Sequence, residues 1–217
     1  MSYLVQQETL CSHCQFPTQA ELWSAINVKE DPELRDLLLG GELNLIECEA
    51  CKEIFYAEHF TLYHDPAYEL MVFVYPQSCA NERAKWEEKT AVDFGLSQAT
   101  LPLESQATYE PVTVFGMNEL VLLVEDEEEL AIQGQIVSIY SADHGFKVKK
   151  LSPALARRFK IPPVIPYVDG PFGCSRGSVL SALEKIHKVN DRLFVYEKLA
   201  ERIKNDTAWN LPPEAVN

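Results

Sequence analysis

The sequence predicts an α+β fold, with ribbon-like β hairpins, packed helices and a long C-terminal helix. Three observations carry the prediction. Two Cys-x-x-Cys pairs, Cys11 with Cys14 and Cys48 with Cys51, lie in the first quarter of the chain. Short β-branched and aromatic runs surround them, at 15–28, 54–63 and 70–75. Over 176–205, Val179, Leu183, Ile186, Leu193 and Ile203 recur at roughly helical spacing with charges between them, the strongest helix signal present.

From the N-terminus onward, residues 15–28 read as an extended run. A short helix then opens with Asp31 as N-cap and Pro32 at the first helical position, and Gly40-Gly41 ends it. Leu34, Leu37 and Leu38 form its apolar stripe, and Leu43, Leu45 and Ile46 lead into the second cysteine pair. The runs 54–63 and 70–75 are joined by His64-Asp65-Pro66-Ala67-Tyr68, whose turn chemistry predicts a hairpin. Ser78 caps a helix over about 79–91, and the Ser/Thr/Gln/Pro-containing stretch 95–110 reads as a loop. A strand at 112–115 precedes a helix capped by Asn118, with Leu120, Leu123 and Val124 on one face. Residues 135–140 alternate weakly and resemble a strand. Ser152-Pro153 opens a short helix at 154–159, and Pro162, Pro163 and Pro166 break the stretch after it. These elements divide the chain into a ribbon domain at 1–125, an inserted basic and Pro-rich segment at 126–174, and a C-terminal helix and tail at 175–217 packed on the same domain.

Bulk properties narrow the function classes. With 217 residues and 47% hydrophobic content, the chain can build a sizeable core. A net charge of −14 opposes general attraction to nucleic acid or anionic lipid. Residues 1–10 lack a charged n-region and a long apolar core, and no apolar run is long enough to span a bilayer. The expectation is a cytoplasmic protein with no membrane association, whose thiols stay reduced and available for metal.

The cysteine pairs carry the chemistry. Two thiolates two residues apart reach one ion from a tight turn, and a second pair closes a tetrahedron. Cys11, Cys14, Cys48 and Cys51 are therefore the predicted metal ligands. Four thiolates leave no open position for substrate, so the expected role is structural, with Zn2+ favoured and iron in a rubredoxin-like site as the alternative. A redox dithiol fits less well, because neither pair sits in a strand-then-helix context. His13 lies inside the first pair and is weighed as a substitute ligand, while His59 and His64 read as structural. Cys79 and Cys174 have no partner motif and read as inert. No phosphate loop, nucleophile elbow or His-Glu-x-x-His helix is present, so no catalytic residue is assigned.

The stretch from Cys11 to about Tyr75 resembles the CpXC domain of bacteria and archaea. Beyond the cysteines, Glu21-Leu22-Trp23, Ile26-Asn27-Val28, Asp31-Pro32-Glu33-Leu34 and Gly41-Glu42-Leu43-Asn44 fall in that family's order. Leu62-Tyr63-His64-Asp65-Pro66 and Val114-Phe115-Gly116-Met117-Asn118-Glu119-Leu120 resemble its later segments. Ser12 and Glu49 stand where the family's name places proline, which stiffens the turn but supplies no ligand. The resemblance implies a zinc-ribbon-like fold over about 8–125 and a prokaryotic origin. It supplies no substrate and no catalytic residue.

Two functional expectations arise. The first is a non-enzymatic protein with a structural zinc site, acting through a protein partner or self-association. The second is a nucleic-acid-associated ribbon factor using the basic segment 147–160, where Lys147, Lys149, Lys150, Arg157, Arg158 and Lys160 lie without a carboxylate among them. An enzyme whose pocket is built from the inserted segment is a third and weaker reading.

Overall fold

A computed structural model describes residues 1–103, 106–212 and 214. Residues 104 and 105 of the expected loop, and 213 and 215–217 of the expected tail, lie outside the described residues. The chain forms two compact units, Met1–Glu125 and Asp126–Asn217.

The first unit is built on a five-stranded mixed sheet of order β1-β2-β5-β6-β7. Its strands are β1 (Tyr3–Leu10), β2 (Pro17–Asn27), β5 (Thr61–Asp65), β6 (Leu70–Tyr75) and β7 (Val112–Phe115). β1 and β2 form one antiparallel hairpin, and β5 and β6 another. β2 with β5 and β6 with β7 run parallel. A parallel pair needs a crossover connection. That from β6 to β7 contains α2 (Arg83–Ala99). That from β2 to β5 contains α1 (Glu33–Leu39) and a small hairpin of β3 (Leu45–Glu47) and β4 (Ile54–Tyr56). Leu34, Leu38, Leu43, Met117, Leu120 and Val124 bury against Ile26, Tyr63, Leu70, Val72, Val74 and Val114.

The turn at 64–68 forms as its chemistry predicts: Asp65 Oδ1 accepts from the Ala67 amide at 3.1 Å, with Pro66 opening a single 3-10 turn. α1 ends in a Schellman motif. The Glu42 amide reaches the Leu37 carbonyl at 2.9 Å and the Gly41 amide the Leu38 carbonyl at 3.0 Å, with Gly41 left-handed at φ +72. Tyr56 Oη donates to the Gly41 carbonyl at 2.9 Å, tying this cap to β4.

Several expected boundaries shift. The run 54–63 is not one strand: β4 pairs with β3, and β5 joins the main sheet. Asp31 does not cap α1 with its side chain; its carboxylate accepts the Ser2 amide at 3.3 Å. Ser78 does not cap a helix either, because its amide and hydroxyl both bind Glu58, at 3.1 and 2.8 Å. A 3-10 turn at Gln77–Glu82 intervenes, and α2 runs on to Ala99, into the expected loop. Asn118 lies inside the first turn of α3 (Gly116–Asp143), and the capping contact comes from Glu119, which accepts from the Phe115 amide at 3.0 Å.

The expected strand at 135–140 is instead part of α3, a 28-residue helix. Gln133, Val137 and Ser141 are buried at intervals of four, which is helical spacing. The boundary between the two units falls within this helix.

The second unit has its own core, shared by the segments at 126–174 and 175–217. β8 (Lys147–Lys150) and β9 (Val164–Tyr167) pair antiparallel, and the proline-rich stretch supplies β9. A two-stranded sheet has only edge strands, so Pro166 is tolerated. α4 (Pro153–Phe159) opens as expected, with Ser152 Oγ accepting from the Leu155 amide at 3.3 Å. The expected long C-terminal helix is two helices, α5 (Arg176–His187) and α6 (Phe194–Asn205). The helix stops after His187, and in the linker Asn190 Oδ1 accepts from the Arg192 amide at 3.0 Å in an Asx turn. Val137, Ile165, Val179, Leu183, Ile186 and Ile203 are buried in this core. Gly134 allows α3 close to β9, since a Cβ there would meet Val164 Cγ2 at 3.2 Å.

Candidate metal centre

The two cysteine pairs sit at the tips of two hairpins. Cys11 and Cys14 occupy the turn between β1 and β2, and Cys48 and Cys51 that between β3 and β4. The two turns share their backbone hydrogen-bond pattern. The Cys11 amide donates to the Phe16 carbonyl at 3.0 Å and the Cys48 amide to the Glu53 carbonyl at 2.9 Å. The Gln15 amide returns to the Cys11 carbonyl at 2.9 Å, and the Lys52 amide to the Cys48 carbonyl at 3.0 Å. Gln15 and Lys52 are both left-handed, at φ 61. The His13 amide donates to Cys11 Sγ at 3.4 Å, and the Cys51 amide to Cys48 Sγ at 3.5 Å. Both turns form with Ser12 and Glu49 in place of proline.

The four Sγ atoms lie within 4.8 Å of one another. The closest approaches cross between the turns: Cys11 to Cys51 at 3.7 Å and Cys14 to Cys48 at 3.6 Å. A tetrahedral ion with sulfur bonds of about 2.3 Å sets its ligands about 3.8 Å apart, so the cluster has the size of one such site. A disulfide would bring two sulfurs to about 2 Å, and all six cysteines are free. The four predicted ligands are therefore brought together and can hold one metal ion. His13 is exposed and outside the cluster.

The electrostatics match a cluster that needs a cation. Hydrogen bonds from the Cys51 and Ala50 amides favour the Cys48 thiolate and pull it down to about 6. A hydrogen bond at Glu53 favours the Cys51 thiolate, but burial and the three neighbouring sulfurs outweigh it and push Cys51 up. Four adjacent thiolates repel one another, and a divalent ion lets all ionise together.

A small apolar layer of Leu22, Ile46 and Phe55, with Val5, Ala20 and Ala57, packs under the sulfurs of buried Cys11 and Cys48. Asn44 holds the second hairpin to the sheet. Its Oδ1 accepts from the Trp23 amide at 2.7 Å, and its Nδ2 donates to the Trp23 carbonyl at 3.0 Å and to Thr61 Oγ1 at 3.3 Å. The side chain thus pairs with β2 at Trp23, two residues before β5 takes over at Ala25. Asn44 is quoted in the family resemblance, but no local pattern reveals this role, because its partners are distant in sequence.

The other candidates lie apart from the cluster. His64 Nε2 is 2.8 Å from Tyr109 Oη, and burial holds both His59 and His64 below the ordinary imidazole value. Cys174 is half-buried, and burial pushes its thiol up to about 11, away from reactivity. Cys79 is also half-buried and belongs to no cysteine cluster. The basic segment is spread over β8 and α4, where Arg157 forms an ion pair with buried Glu127 at 2.7 Å and Arg158 lies over the Phe159 ring. Among the described residues no helix is long and apolar enough to cross a membrane.

A family model described as CpXC protein matches residues 9–126, from just before the first cysteine to the early part of α3. No curated protein and no solved structure matches the chain. Because that match spans more than half of the chain and encloses both cysteine turns and the elements between them, this chain belongs to the CpXC protein family.

Proposed function

We propose that the four-cysteine centre is a structural zinc site, and that the chain is a non-enzymatic cytoplasmic protein acting as an interaction or assembly module. The observation that carries this reading is the pair of equivalently built turns, whose four sulfurs have tetrahedral dimensions and leave no ligand position for substrate. Zinc suits four thiolates that perform no electron transfer, whereas iron in the same geometry would act in redox chemistry. Two of the ligands are buried on a layer of few side chains. Such a small apolar layer gains stability from a metal clamp.

The first test is metal analysis of the purified full chain, followed by chelation under far-UV dichroism and pull-down from host extract. One zinc per chain, loss of ordered signal on chelation and zinc-dependent capture of a defined partner support the proposal. A chain that purifies with iron, or keeps its spectrum and its binding after metal removal, overturns it.

A further inference from the structure

We propose that the outer edge of β1 pairs with β1 of a second copy of this chain, joining two main sheets into one. The proposal rests on the reading of the chain as an assembly module and names its surface and partner. β1 is the terminal strand of its sheet, hydrogen-bonded only to β2 within it. After an irregularity between Tyr3 and Leu4, the segment Leu4–Leu10 runs in unbroken register against β2. Alternate backbone N–H and C=O groups of such a strand point away from its one neighbour. Edge strands are commonly guarded by lysine or proline, and β1 carries neither. Leu4 and Leu10 are 38% and 56% exposed.

The sequence of β1 suits a copy of itself. A two-fold axis perpendicular to the sheet keeps each side chain on its own face, so residues of the same parity oppose each other. With the axis at Gln7, Leu4 opposes Leu10, Val5 opposes Thr9, and Gln6 opposes Glu8 of the second copy. Within one chain, the Gln6 amide already donates to Glu21 at 3.4 Å, and Gln19 donates to Glu8 at 3.2 Å. Across the junction the exposed row would read Glu21, Gln6, then Glu8 and Gln19 of the second copy. Carboxylate and amide alternate, so each acceptor adjoins a donor. Centring on Gln6 would set Leu4 against a carboxylate, and centring on Glu8 would set that carboxylate against its own copy. Charge and polarity therefore select the Gln7 register. Cys11 comes directly after Leu10, so the metal centre anchors one end of the pairing segment.

The test is sedimentation velocity of the zinc-loaded full chain over a dilution series, with four variants. The wild type is expected to dimerise with increasing concentration. Gln6→Glu places two like-charge contacts at the junction and is expected to raise the dimer dissociation constant about tenfold, while Gln6→Lys leaves it unchanged or lower. Both variants face Glu21 within their own chain, so thermal midpoints are measured alongside to separate folding from association. Gln7→Cys is expected to give a disulfide-linked dimer on mild oxidation, and Glu8→Cys is not. A wild type that stays monomeric throughout overturns the proposal, as does a dimer indifferent to charge at Gln6 or cross-linked through Glu8→Cys. A monomer that still captures another protein in a zinc-dependent way removes the β1 proposal while leaving the assembly reading standing.

Discussion

Replacing Asn44 should loosen the second cysteine-bearing hairpin without touching a candidate ligand. Asn44 is buried, its backbone is left-handed at φ 54, and its side chain bonds both backbone groups of Trp23. Asn44→Ala leaves the Trp23 amide without its 2.7 Å acceptor, at about 1–3 kcal/mol for an unsatisfied buried group. The Trp23 carbonyl keeps a donor in Thr61 Oγ1 at 3.0 Å, so losing the second bond there costs about 0.5–1.5 kcal/mol. Alanine in the left-handed region adds about 1–2 kcal/mol, which glycine avoids. The expected losses are thus about 2.5–6.5 kcal/mol for Asn44→Ala and about 1.5–4.5 kcal/mol for Asn44→Gly. Urea unfolding of the zinc-loaded protein, followed by tryptophan fluorescence, measures both, and competition with a chromophoric chelator should show weaker zinc binding. If both variants stay within about 1 kcal/mol of the parent with unchanged zinc affinity, the Asn44 bridge does not hold the hairpin.

Further perturbations probe other contacts. Because burial lowers the folded-state values of His59 and His64, the unfolded chain takes up protons first as pH falls below the ordinary imidazole value of 6.5. The stability from these groups is complete above that value and declines as pH drops through the lowered ones, so the unfolding free energy should rise with pH across this window. His59→Gln with His64→Gln should flatten that slope, and a parent profile that is flat or inverted refutes the assignment. Gly41→Ala forces a side chain into a left-handed position, where its Cβ would lie 3.1 Å from Tyr56 Oη; it should cost about 1–2 kcal/mol in urea unfolding, and a neutral result contradicts the cap. Tyr196→Phe removes the 2.8 Å hydrogen bond to the Val164 carbonyl in the core of the second unit; a loss of about 1–2 kcal/mol is expected, and an unchanged thermal midpoint rules out that bond as a stabiliser.

The features legible in the sequence were those written in local chemistry. Cys-x-x-Cys spacing identified both turns that bring the four cysteines together, Pro32 and Gly41 bracketed α1, and Asp65-Pro66 marked the β5–β6 turn. The features that escaped depended on distant partners. β1 escaped because its apolar residues, Tyr3, Leu4, Val5 and Leu10, do not alternate with polar ones, so it shows no strand period until β2 lies beside it. The β-branched run at 135–140 alternates like a strand, yet packing makes it helical, with Val137 buried and Gly134 close to Val164. The interruption between α5 and α6 was written at Asn190, but the apolar spacing on either side concealed it. Asn44 became intelligible only once Trp23 and Thr61 were neighbours.

We propose that Cys11, Cys14, Cys48 and Cys51, close enough to share one ion, hold zinc. Zinc-edge X-ray absorption of the purified chain tests it most directly. One zinc per chain in a shell of four sulfurs at about 2.3 Å is expected, with Cys48→Ser losing a sulfur from that shell. A shell containing nitrogen or oxygen ligands in the unmodified protein, or a chain that purifies without zinc, would contradict it.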